Sequence, residues 1–219
     1  MSADDGFGWR GIVVPAYGPT FLSAGAAGAV LPIAALRADE LGASLGMAAF
    51  VVALTGVGQL VGVLPAGALV ARIGERATLL RAGALDVVAL AVAGWAPTLW
   101  LMGVALFVSG LATSAFFLAR QGYMIDVLPQ RLLARGMSLL GGSMRAGLLL
   151  GPVIGSLAIA PFGLQGAYGV AVLLAAGSAL TVLTAPDLTG EHERARAAEP
   201  HTGVWRVIRQ HARLLLTQG

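Results

Sequence analysis

Four side chains stand out in an otherwise greasy sequence because they could bind a ligand or carry charge: Gln59, Asp86, Arg120 and Arg145. Arg120 ends an uncharged run that begins at Val87, and Asp86 immediately precedes that run. An ionisable group inside an apolar helix costs at least ~2.5 kcal/mol to insert, so such groups face a bundle interior or a wet cavity and mark a pathway. Asp86 is the only acidic residue well inside an apolar stretch, which makes it the candidate to take up and release a proton. Its side chain is too short to reach a headgroup. It needs a partner, and Arg81 one turn away or one of the buried arginines can serve. Arg120 and Arg145 can tune that carboxylate or hold an anionic group on a substrate. The alternative is that both snorkel to the headgroups or pair structurally. Gln59, in the middle of its apolar stretch, either contacts a ligand or acts as helix–helix glue.

Other chemistry is excluded. Cysteine is absent, and so are disulfides and Cys-based zinc sites. His192, His201 and His211 are scattered through a polar tail, so no metal and no cofactor is expected. There is no HExxH and no P-loop, which argues against an enzyme. All 14 basic residues are arginine, which removes any P-loop or Schiff-base lysine.

The elements that must position these groups follow from composition. The apolar fraction is 57%, only 11% of residues are charged, and the mean hydropathy is +0.82. A soluble domain carries about 25% charged residues, so the natural solvent of this chain is a lipid bilayer. The sequence pI near 10.2 suggests nucleic acid, but the arginines cluster between apolar stretches, where a juxtamembrane role explains them better. A spanning helix needs roughly 20 mostly apolar residues. Six fit, at about 11–36, 43–70, 79–95, 99–127, 137–161 and 166–185. They make a six-helix transmembrane bundle over 11–185, with residues 1–10 before it and a polar linker at 186–203 after it. Residues 204–219 pattern as an interfacial helix with the possible start of a seventh span in RLLLTQG. No secretory signal is recognisable at the acidic start of the chain.

Orientation follows from the arginines. Arg10, Arg72, Arg76, Arg81, Arg131, Arg135 and the five in the tail fall on one side, and only Arg37 falls on the other. The positive-inside rule then puts both termini in the cytoplasm and the protein in the inner (plasma) membrane. Counting 1.5 Å per residue from the expected span ends places Asp86, Arg120 and Arg145 at one depth, about 10–12 Å in.

Three stretches resemble one family. Residues 67–76, GALVARIGER, resemble the signature G-x-x-x-D-R-x-G-R-R after the second helix of the major facilitator superfamily. Gly67, Arg72, Gly74 and Arg76 match, while Ala71 replaces the usual Asp and Glu75 stands where a basic residue is common. Residues 147–156, GLLLGPVIGS, resemble the helix 5 antiporter signature G-x-x-x-G-P-x-x-G-G through Gly147, Gly151, Pro152 and Gly155. Residues 120–135 are similar to the end of helix 4 in drug-efflux members, although Gly122 follows Arg120 by two residues rather than four. The resemblance implies an all-α membrane protein, with six transmembrane helices as one half of a twelve-helix major facilitator fold. It implies that Asp126 pairs with Arg72 or Arg76 in a conformational gate, with topology alone as the alternative for those arginines. It also implies that the helix 5 glycines support antiport, beside the plainer account of tight packing.

The expected function is a secondary active transporter that exports small organic compounds by alternating access, coupled to protons. The chain is expected to be the N-terminal half, so its partners are the bilayer, a small-molecule substrate, protons, and a missing C-terminal half or a second copy of itself; nucleic acid is not among them. The alternative is a six-helix membrane scaffold or inactive fragment that transports nothing.

Overall fold

The computed structural model of the chain describes residues 9–184, with side chains from Tyr17 onward. The expected linker at 186–203, the segment 204–219 and most of the N-terminal segment lie outside the described residues. Within them the chain forms eight helices: α1 Trp9–Val30, α2 Ile33–Glu40, α3 Leu45–Ile73, α4 Glu75–Gly94, α5 Leu99–Val127, α6 Gln130–Leu157, α7 Ile159–Phe162 and α8 Leu164–Thr184. No strand occurs among the described residues. Five helices are long and apolar enough to cross a membrane, and α1 and α2, bent by 41° at the break between them, make up to six when taken together as one span. The bend falls at Leu31-Pro32. Proline has no N–H to continue the ladder and drives the residue before it out of the helical region, so the helix breaks there and restarts at Ile33.

The connections are short and locally specified. Ser44 and Thr98 cap α3 and α5, each hydroxyl accepting the backbone N–H three residues on at 3.4 Å. Gly74 turns the chain from α3 straight into α4 at φ +82°, a backbone region that side chains with a Cβ rarely adopt. Because α4 starts at Glu75, it is longer toward the arginine-rich end than its apolar stretch indicates. Glu75 itself is buried at 4% exposure, in the first helical turn, where a carboxylate is favoured by the helix dipole. Arg76, one residue on, donates to the carbonyl of Leu183 at 3.0 Å and so satisfies one of the open carbonyls at the end of α8. At the opposite end Arg37 donates to Glu40 at 2.8 Å and to the Ala96 carbonyl at 3.2 Å, tying α2 to the α4–α5 turn.

Helix pairing has an internal symmetry. The strongest packings are α3 on α5, α1 on α6, α4 on α5, α1 on α8 and α4 on α8. Exchanging the first three spans (α1–α2, α3, α4) for the last three (α5, α6, α8) maps this set onto itself. That is the arrangement of a three-plus-three repeat. The two closest pairings use the same device. A Cβ on Gly147 or Gly151 of α6 would collide with the backbone of α1 at Phe21 and Gly25, and one on Gly58 of α3 or Gly110 of α5 would collide with the facing backbone at Phe107 and Thr55. In lipid, where apolar burial gives helices no reason to associate, such close backbone approach is what holds them together. The core is accordingly rich in alanine, with Met102, Leu106 and Tyr168 as its bulky members. Large apolar side chains such as Leu45, Leu60 and Leu64 of α3 and Leu149 of α6 point outward, the reverse of a soluble protein.

Candidate functional site: a neutral cavity backed by a buried carboxylate

A cavity of about 580 Å³ opens among α1, α2, α3, α5 and α6, while α4 contributes only Leu90 and α8 contributes no lining residue. Its wall is mostly apolar. The polar groups on it are Thr55 and Gln59 of α3 and Ser109, Thr113, Ser114 and Gln121 of α5. Their spacing explains the convergence: Thr55 and Gln59, and Ser109 and Thr113, are each four residues apart and so lie on one helical face. The break in the first span borders the cavity through Val30, Leu31 and Ala34. Binding pockets of this kind, apolar with a few placed polar groups, suit drug-sized molecules.

Among the described residues, none that lines the cavity is ionisable. Of the four groups singled out from sequence, Gln59 is on its wall and the three charged ones are not. Asp86 lies behind the wall, 7% exposed, and accepts a hydrogen bond of 2.5 Å from the Ser109 hydroxyl. That hydroxyl is its partner, rather than Arg81, which is exposed on the outer face of α4. Arg120 is also buried, at 2% exposure, with its guanidinium 5.1 Å from the centroid of the Tyr123 ring one turn on. Tyr123 packs in turn with Tyr17 of α1, Leu128, and Leu140 of α6. Arg145 is exposed on α6. The three charges do not share a depth either. Arg120 lies eleven residues along α5 from Ser109, hence about 16 Å along the helix axis from the Asp86 contact.

The remaining candidates divide by location. Gly67 and Arg72 are exposed near the arginine-rich end of α3, Gly74 makes the reversal described above, and Asp126 is half-buried at the end of α5. The Arg76 bond to Leu183 adds a contact with α8 that the gate signature did not suggest. Gly147, Gly151 and Gly155 all face α1, while Pro152 lies within α6 beside them. Sequence reasoning missed Ser109, Thr113, Ser114 and Thr55, because small hydroxyl residues are common in membrane helices as packing groups. It also treated Glu75 only as a departure from a signature, whereas the side chain is buried against α5 and comes within 3.1 Å of where a Cβ on Gly122 would sit. The glycine at 122 thus makes room for that carboxylate.

Comparison with known proteins agrees with this architecture. The sequence profile described as Major Facilitator Superfamily matches residues 17–218. An MFS-type transporter of Bacillus subtilis (strain 168), YfkF, itself described as uncharacterized, is 32% identical over 149 residues, which is 68% of this chain. The matched region is 37% of that relative's length.

Proposed function

Because the chain belongs to the major facilitator superfamily, whose members are transporters and not enzymes, we propose that it forms the N-terminal half of a proton-coupled exporter of small organic compounds. The observation that carries this reading is the Asp86–Ser109 bond, which sets a buried carboxylate directly behind the wall of the cavity. A carboxylate in such a place changes the charge of the site by one unit when it takes up a proton. A transporter can use that change to favour one conformation over another.

Several further features support the reading. The cavity lies among helices from both three-span repeats, and in transporters built this way substrate sites lie near the midplane at repeat interfaces. The neutral wall, with two carboxamides and four hydroxyls, suits uncharged or weakly polar molecules. The close approach of α6 to α1 along Gly147, Gly151 and Gly155 seals one flank of the bundle, as antiport without leakage requires. Arginines at the ends of α3, α4 and α6 favour a cytoplasmic location for that end, and with it for both termini. The second half is supplied by a longer polypeptide or a second copy. Membership of a transporter family favours transport over an inert scaffold.

The test is efflux of N-phenyl-1-naphthylamine, an uncharged amphipathic dye, from cells expressing the whole protein. Efflux is expected to stop when a protonophore collapses the pH gradient, and to stop in Asp86→Asn. Efflux that continues without a proton gradient would rule out the proton-coupled reading.

A further inference from the structure

Asp86 is 7% exposed and does not line the cavity. On one side lies a gap lined by Ser23, Ala82, Gly83, Phe116, Ala175 and Ser178, whose volume for a water is about 0 Å³. A water needs at least about 10 Å³, so this gap does not hold one beside the carboxylate. The Ser178 hydroxyl is already committed to the Pro19 carbonyl at 2.8 Å. On the other side stands Ser109, which both donates to the carboxylate and forms part of the cavity wall. The groups facing Asp86 from the surrounding elements are therefore Ser109 and Phe116 of α5, Ala175 and Ser178 of α8, and Ser23 of α1, none of them titratable in the physiological range. The Ser109 hydroxyl is the polar bridge between the carboxylate and the cavity.

We infer that Ser109 is a proton-relay and positioning residue: protons pass between Asp86 and the cavity through its hydroxyl. The inference rests on the reading of Asp86 as the coupling carboxylate. The step balances with O–H bonds alone. The Ser109 proton moves to an Asp86 carboxylate oxygen as the Ser109 oxygen accepts a proton from a hydronium ion in the cavity, which is left as water, and the net change is one proton carried from cavity to carboxylate. Rotation about the Ser109 side-chain bond restores the starting arrangement. A ligand that engages the Ser109 hydroxyl from the cavity removes the relay. Occupancy of the cavity and proton exchange at Asp86 are then mutually exclusive, as antiport needs.

Infrared spectroscopy of the whole protein in lipid vesicles tests this without a known substrate. The protonated-carboxyl band that disappears in Asp86→Asn identifies the group, and its rate of shift on transfer to D2O reports proton exchange. Ser109→Ala is expected to keep the band and slow its exchange on the order of 100-fold, the scale of a lost positioned proton-transfer group. Ser109→Thr, which restores a hydroxyl, is expected to exchange within a few-fold of the native protein. If Ser109→Ala does not fold, Ser109→Gly takes its place. Exchange at the native rate in the hydroxyl-free variant overturns the relay while leaving Asp86 as the coupling group. An infrared spectrum unchanged by Asp86→Asn at every pH overturns the coupling reading itself.

Discussion

At the scale of the residue, two buried groups of opposite charge are held in different ways. Asp86 has one hydroxyl and a neutral surrounding, whereas Arg120 lies over an aromatic face. A guanidinium within about 6 Å of a ring centroid gains roughly 2 kcal/mol when desolvated. Tyr123→Leu removes that face, and its thermal unfolding in detergent should show a loss of about 2 kcal/mol. A variant as stable as the native protein would mean that the ring does not hold the arginine. Sequence makes the charge of these residues plain but not their direction. In lipid the outside of a bundle is as apolar as its inside, so a spanning helix has no polar stripe to show which way a given residue faces. That is why Arg145, exposed on α6, read the same as Arg120, buried in α5, and why Ser109 gave no sign that it would meet Asp86.

At the scale of the element, glycine placement sets which helices meet. Gly151 of α6 faces the backbone of α1, whereas a Cβ on Gly142 of the same helix would meet nothing within 4 Å in this chain. Gly151→Leu forces the two helices apart and should cost about 1–3 kcal/mol or more by overpacking. Gly142→Ala should be neutral or stabilising by about 0.5–1 kcal/mol, since alanine loses less entropy in a helix. Thermal unfolding of the two variants decides the point, and equal melting would contradict the packing described for α1 and α6. The glycine repeat was legible from its four-residue spacing, although its partner helix was not. The existence of the long helices was legible too, because uncharged runs of spanning length are unambiguous in a chain this apolar. Their ends were not. Glu75 and Arg76 are charged yet helical, so α4 begins before its apolar stretch does, and Pro32 divides a run that hydropathy alone reads as continuous.

At the scale of the whole molecule, the symmetric pairing of α1 with α6 and α3 with α5 gives a bundle with its neutral cavity between the two repeats. That symmetry is invisible in composition and emerges only from which helices pack against which. The arginine asymmetry, by contrast, is plain in the sequence, and it leads to a topological prediction. The chain has no cysteine, so, with any cysteine of the second half replaced, single cysteines can be read individually. Asp39→Cys, at the end of α2, should react with a membrane-impermeant thiol reagent in intact cells, and Gln130→Cys, at the start of α6, only after permeabilisation. Labelling in the opposite order would invert the proposed orientation.

Proton movement driven by a ligand tests the coupling through Asp86 directly. The whole transporter is placed in liposomes that enclose the pH indicator pyranine, and a gradient of N-phenyl-1-naphthylamine is imposed across the membrane. Coupling through Asp86 predicts that protons move against the dye in the native protein, and that this movement disappears in Asp86→Asn while the dye still binds. Proton movement of native size in Asp86→Asn, or dye flux with no proton movement in the native protein, would contradict it.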